Sequence, residues 1–239
     1  MITRPRFDKL PSIIILYEEP AMNYKKIILC TFTSGILLTA QCSYAMENLD
    51  AFKGRLIQYH DSEKYEKEIS AVIKQAKTYL KTRLAQKSPK KLAMVLDIDE
   101  TSLSNYNDMF DMQFGGKLKD IIAEEGNGTD TVIKPTLELY QYAKAHKVAV
   151  FFVTGRSEIY RTATIKNLKL ANYKNWDDLI LKPKKYEHKP AAIYKIAARK
   201  AITNKGYDIV INIGDQMSDL SGGYSDKIFK LPNPYYFIS

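Results

Sequence analysis

An apolar run from Leu92 to Leu96 stops abruptly at two aspartates one residue apart, Asp97 and Asp99, in the stretch LAMVLDIDET. A short run that is apolar on both faces is the pattern of a strand buried in a parallel sheet, where helices cover both sides. Open α/β sheets place their ligands in the crevice beyond the carboxyl ends of their strands. Two carboxylates at such a place repel each other and are costly to desolvate unless a cation or a proton is shared between them. A lone D-x-D is more often a turn, so the other strands decide the matter.

Two further buried runs share this design. VAVFFV (148–153) ends in Thr154, Gly155 and Arg156, and DIVINIG (208–214) delivers Asp215 and, four residues on, Asp219. Glycine at 155 lets a backbone approach a ligand closely, and Arg156 offers a charged fork. A helical pattern runs from Asn48 to about Gln86, with Tyr65, Ile69, Val72, Ile73, Ala76, Tyr79, Leu80 and Leu84 at three- and four-residue steps. Asp61 or Ser62 is its expected cap, and Ser88-Pro89 its stop. Residues 102–131 read as a loop with one short helix from Leu118 to Glu124. Further helices are expected over Pro135 to Ala145, 157–171 and about 190–204, with a short strand at 178–181 and an edge strand at 228–232. Strands alternating with helices imply parallel βαβ units and a three-layer α/β domain.

The N-terminal region reads differently. From Met22, Lys25 and Lys26 precede an apolar stretch, Ile27 to Leu38, and a small-x-small site at Ser43-Tyr44-Ala45, the layout of a secretory signal peptide. The apolar stretch is short for a bilayer span, although a retained anchor is the alternative. Gln41 makes Cys42 a poor lipidation site. Residues 1–21 are unlike a signal, so either Met1 or Met22 is the start. The expected organisation is 1–45 as upstream extension plus signal peptide, with cleavage after Ala45, and 46–239 as a single domain.

That domain holds 194 of the 239 residues, and both cysteines, Cys30 and Cys42, precede it. Its stability then rests on its core, with no disulfide. The net charge of +9 includes five Lys/Arg and three Asp/Glu in 1–45, leaving +7 for 46–239. A modest basic excess suits anionic substrates. No basic run is interleaved with aromatics, so nucleic acid is not an expected partner. The three histidines form no spaced pair, and zinc ligation is unsupported.

Three buried strands that present two acids, a hydroxyl and two more acids, with Lys189 and Lys195 on the intervening helical segment, make a constellation. It resembles the haloacid dehalogenase (HAD) superfamily, and within it the subfamily IIIB secreted acid phosphatases, which include plant acid phosphatases, vegetative storage proteins and bacterial class B and C acid phosphatases. DIDETSLSN, FFVTGRSEIYR, GYDIV, GDQMSDL and KLPNPYYFI carry the resemblance, which covers roughly 92–239. It implies a three-layer HAD-like (Rossmannoid) domain with a central parallel sheet, helices on both faces and a small cap only.

The resemblance further implies a secreted or periplasmic Mg²⁺-dependent acid phosphatase that hydrolyses phosphomonoesters through an aspartyl-phosphate. Asp97 is then the nucleophile and Asp99 the acid and base, with its proton favoured by the like charge beside it. Mg²⁺ is held by Asp97, the Asp99 carbonyl and Asp215. Thr154, Gly155 and Arg156 bind the phosphate. Lys195 neutralises it, with Lys189 as the other candidate, and Asp219 orients the lysine or supports the metal. Tyr106, Phe110, Phe114 and Tyr160 are candidates to stack on an aromatic leaving group. A dedicated 5′-nucleotidase or phosphotransferase, or a non-catalytic storage-like or binding protein of the same fold, are the alternatives. The expected partner is a small-molecule phosphomonoester, nucleotides among the candidates. The membrane enters only in export, and a homo-oligomer stays open.

Overall fold

The computed structural model describes residues 47–116 and 126–238. They fall in one compact unit, Met46–Ser239. The expected signal segment and the helix expected at Leu118 to Glu124 lie outside the described residues.

Helices α1 (Leu49–Asp61) and α2 (Lys64–Leu84) precede the central strand β1 (Lys91–Leu96). A short insert follows, formed by β2 (Leu103–Ser104), α3 (Tyr106–Asp111) and β3 (Thr131–Val132). The chain then runs α4 (Lys134–Ala145), β4 (Ala149–Ser157), α5 (Arg161–Leu170), β5 (Asp178–Lys182), α6 (Ala191–Asn204), β6 (Tyr207–Gly214), α7 (Met217–Leu220) and β7 (Lys227–Lys230). The five long-range strands form one parallel sheet in the order β5-β4-β1-β6-β7. β2 and β3 pair separately and antiparallel.

Alternation along β1 divides the core. Met94 and Leu96 face one layer with Tyr65, Ile69, Ile73, Leu80, Leu139 and Leu168 of α2, α4 and α5. Ala93 and Val95 face the other, with Tyr194, Ala198 and Ile202 of α6. Helices therefore cover both faces, and a strand buried on both sides must be apolar at every position. α2 buries Tyr65, Ile69, Ile73, Ala76 and Leu80, which share one face at steps of three and four.

The single helix expected over 48–86 is two. Glu63 takes a left-handed conformation, with φ 60°, between α1 and α2, and no side chain caps α2. β4 is longer than its apolar run because pairing with β5 resumes at Ser157 after a register shift. The helix expected from 157 begins at Arg161, after a single 3₁₀ turn at Glu158–Tyr160. No helix among the described residues is long and apolar enough to cross a membrane.

Candidate active site

β1 lies between β4 and β6, and the chain leaves its two neighbours in opposite senses, so a crevice opens at its carboxyl end. Asp97 continues β1 by donating its backbone N–H to the Ile213 carbonyl at 3.0 Å. Thr154 lies within β4, and Asp215 follows the last residue of β6. All three side chains are buried.

The lysine comes from α6. Its Tyr194, Lys195, Ala198, Arg199 and Ile202 form the buried face. Lys195 Nζ donates to Asp97 Oδ1 at 2.7 Å and to Asp219 Oδ1. Burial opposes its charge, yet Asp219 and Asp97 hold its pKa well above the ordinary lysine value. Asp97 Oδ2 accepts no hydrogen bond from the described residues. Burial, and then the charge of Asp219, push the Asp97 pKa well up despite the lysine. Lys189 is exposed, with its ammonium 5.5 Å from the centre of the Tyr186 ring, and does not join the cluster.

Asp219 is held on every side. Its Oδ2 accepts from the Gln216 backbone N–H at 2.8 Å, closing a capping box on α7. Its carbonyl accepts from Asn212 Nδ2 at 2.9 Å and Arg199 Nη1 at 2.5 Å. With both carboxylate oxygens engaged, Asp219 is an orienting group for Lys195.

Asp99 is turned the other way. Arg156, whose side chain is fully buried, grips it with Nε at 3.1 and 3.2 Å and Nη2 at 2.7 Å, and reaches Asp130 Oδ2 at 2.6 Å with the same Nη2. Asn105 Nδ2 donates to Asp99 Oδ1 at 3.1 Å. Burial alone would raise the Asp99 pKa, but the charge and hydrogen bonds of Arg156, with Asn105, bring it below the ordinary carboxylate value. This corrects one expectation. The carboxyl raised by its neighbours is Asp97, not Asp99, because only Asp99 has a guanidinium. Arg156, expected at the phosphate, has its Nε and Nη2 on the Asp99 and Asp130 carboxylates.

Residues outside the expected set hold the acids in place. Asp215 Oδ2 accepts from Gln216 Nε2 at 2.6 Å and from Asn233 Nδ2 at 2.7 Å, while Oδ1 meets Thr101 Oγ1 at 3.3 Å. Burial and Asp219 raise its pKa to about 6, against the pull of those two amides. Glu100, wholly buried with φ 48°, accepts from Tyr65 Oη, from the Asn105 N–H at 2.6 Å and from Ser104 Oγ at 3.2 Å. It thereby fixes the residue that holds Asp99.

Asp97, Asp215 and Asp219 each offer an oxygen within 4.8 Å of the others, and all three are buried. Three carboxylates around one ammonium leave negative charge in a desolvated place, and an all-oxygen donor set suits a hard divalent cation. The residues fit a metal ion.

Of the aromatic candidates, Tyr106 is buried and stacks on His60 at 3.4 Å between centroids, while Phe114 stacks on Tyr235 at 6.0 Å. Phe110 joins the same cluster but is partly exposed, and Tyr160 stands apart beside a cavity.

Comparison with known proteins agrees with this architecture. The family model described as "HAD superfamily, subfamily IIIB (Acid phosphatase)" matches residues 40–239. Acid phosphatase 1 of Solanum lycopersicum is 40% identical over 148 residues, which is 60% of this chain and 58% of that protein, so the chain spans well under two thirds of it. Vegetative storage protein 2 of Arabidopsis thaliana is 33% identical over 181 residues, covering 74% of this chain and 68% of that protein. The structure of the class C acid phosphatase from Bacillus anthracis superposes with a TM-score of 0.67 at 20% identity, over 79% of this chain and 86% of that one, a likeness of fold.

Proposed function

The chain belongs to the HAD superfamily, subfamily IIIB acid phosphatases, and from that premise we propose that it is a Mg²⁺-dependent phosphomonoesterase acting through an aspartyl-phosphate. The observation that carries the reading is Asp97 at the tip of the central strand, with one carboxylate oxygen on Lys195 at 2.7 Å and the other unengaged.

The unengaged Asp97 oxygen attacks phosphorus as the ester P–O bond breaks, splitting one hard displacement into two easier ones. Asp99, ionised on Arg156 in the free site, takes up a proton as the anionic phosphate enters beside it. It gives that proton to the departing oxygen, and then takes one from the water that attacks the aspartyl-phosphate. Cleavage of the P–O bond to Asp97 releases phosphate and restores the carboxylate. Lys195, held by Asp219, stabilises the equatorial charge that grows in each transition state. Thr154 and the open Gly155 backbone bind the phosphate oxygens. Asp97, the Asp99 carbonyl and Asp215 would hold Mg²⁺. When bound, that ion neutralises the crowded carboxylates and the incoming phosphate.

Export through the N-terminal signal segment, with cleavage after Ala45, completes the proposal and puts the enzyme outside the cytoplasm.

The test is hydrolysis of an aryl phosphate by the purified protein, wild type against Asp97→Asn, with Mg²⁺ or with chelator. Turnover that chelator silences and Asp97→Asn abolishes in a folded protein supports the proposal. A folded, metal-loaded wild type inactive on every phosphomonoester tried would overturn it. The storage reading, which the likeness to vegetative storage protein 2 keeps alive, would then replace it.

A further inference from the structure

A cavity of about 480 Å³ opens beside the tip of β4 and, apart from Gly155, takes no part in the chemistry above. It begins at Gly155, the one exposed residue between buried Thr154 and buried Arg156. A Cβ placed there would meet nothing nearer than Tyr194 Oη at 4.0 Å, so the space over this glycine is open. The cavity is thus continuous in sequence and space with the proposed phosphate-binding backbone. Its volume falls within the roughly 300–1,000 Å³ of small-molecule sites.

Its walls have two characters. The 3₁₀ turn after β4 brings Ile159, 79% exposed, and Tyr160. The end of β5 and the turn beyond it bring Lys182 and Lys184. Lys182 Nζ donates to the Glu187 carbonyl at 3.1 Å, and no carboxylate pairs with it among the described residues. Burial, and the charge of Lys195 against that of Glu187, hold its pKa below the ordinary lysine value. Of the two acids on the walls, Glu158 is engaged by Arg161 at 2.5 and 2.9 Å, and Glu187 is exposed. The ammonium groups are graded from solvent inward: Lys184 exposed, Lys182 half-buried, Lys195 buried on the nucleophile. Two lysines on the wall, beside a site whose nucleophile also carries a lysine, favour anions here, and the apolar wall favours a carrier with a flat apolar body.

We infer that this cavity receives the organic part of the substrate and selects phosphomonoesters whose leaving group is an apolar body bearing a second anionic group. The inference rests on the phosphomonoesterase reading and adds the substrate class to it. Lys182 is the specificity-determining residue, since it is the half-buried lysine of the wall and no carboxylate pairs with it among the described residues.

The test uses two probes that cannot be hydrolysed, phenylphosphonate and 4-carboxyphenylphosphonate, titrated calorimetrically into the purified protein. Wild type is expected to favour the carboxylated probe by about 5-fold, as one partly exposed ion pair allows. The ratio should fall to about one in Lys182→Met, which keeps the apolar stem. Ile159→Asp, at a surface position that tolerates change, should also lower the ratio by placing a like charge at the mouth. Equal binding of the two probes by wild type, or a ratio that survives both substitutions, overturns the inference. Turnover of phenyl phosphate by the same preparation is read separately. Its absence would sink the phosphatase reading, while the calorimetric ratio still judges the cavity.

Discussion

Asn233, near the end of the chain, donates its amide to Asp215 Oδ2 at 2.7 Å, sharing that oxygen with Gln216 Nε2 at 2.6 Å. Its own Oδ1 is fixed by the backbone N–H groups of Tyr235 and Tyr236, at 2.9 and 3.3 Å. The tail after β7 is therefore part of the acid cluster. Two amides on Oδ2 fix the rotamer of Asp215, whose Oδ1 meets only Thr101 Oγ1 among the described residues, at 3.3 Å. Partners of this kind typically govern metal affinity by 10–100-fold.

Asn233→Ala is accordingly expected to weaken Mg²⁺ binding by about tenfold, seen in a calorimetric titration of the metal-free protein. Asn233→Asp should weaken it further, because a carboxylate would replace the amide against Asp215. An affinity unchanged in both variants would show that Gln216 alone sets the rotamer.

Gly214 closes β6 directly against Asp219. A Cβ at 214 would collide with the Asp219 side chain, with its carboxylate oxygen at 2.5 Å. Gly214→Ala must push Asp219 from Lys195 or bend the strand end, at a cost of about 1–3 kcal/mol for overpacking. Activity should fall much further than that stability loss explains, because the displaced carboxylate is the one that orients the lysine. Thermal unfolding and turnover measured together check this, and a variant with wild-type turnover would refute it.

Arg156 separates two roles that its sequence position alone confuses. A phosphate-binding arginine would, on mutation to lysine, raise KM and weaken inhibition by inorganic phosphate. The clamp on Asp99 and Asp130 predicts instead that Arg156→Lys lowers kcat, with little change in phosphate inhibition, since a lysine cannot reproduce the guanidinium fork. Removal by Arg156→Ala strands two largely desolvated carboxylates and should cost up to about 3 kcal/mol of stability.

How far these groups were legible in the sequence depends on the range of the contact. Asp97, Thr154 and Asp215 stand where apolar runs give way to polar residues, and the strand ends carry them to one crevice. Lys195 against Lys189 was also readable in principle. Lys195, Ala198, Arg199 and Ile202 repeat at helical steps on one face, and a lysine on an otherwise buried face is an anomaly that invites a partner. Strand alternation puts Arg156 on the same buried side as Thr154, but its grip on Asp99 and Asp130 depends on residues 57 and 26 positions away and is not written locally. Asp130, 26 positions before Arg156, has no local signature, and Asn233, 18 positions after Asp215, lies in the motif KLPNPYYFI without showing there what it holds. The break between α1 and α2 at Glu63 carries neither glycine nor proline; only the capping residues Asp61 and Ser62 mark it, and neither caps α2 with its side chain.

Asp177 offers a pH test remote from the acid cluster. It precedes β5, accepts from the Val150 N–H of β4 at 2.9 Å and pairs with Lys144 of α4 at 2.7 Å and Lys91 of β1 at 3.7 Å. Burial would raise its pKa, but these hydrogen bonds and charges outweigh it, and the folded value lies below the ordinary one. A carboxyl depressed in the fold contributes stability above its unfolded pKa of about 3.9 and loses it as pH falls through the lower folded value. Asp177→Asn is therefore expected to be less stable than wild type at neutral pH, by about 1 kcal/mol given its partial exposure. Between about pH 5 and pH 2 the gap should close as the wild-type carboxyl takes up its proton. Urea unfolding of both proteins across that range measures the gap. A difference that stays constant with pH would mean that the asparagine loses shape or packing, and that the ion pairs contribute nothing.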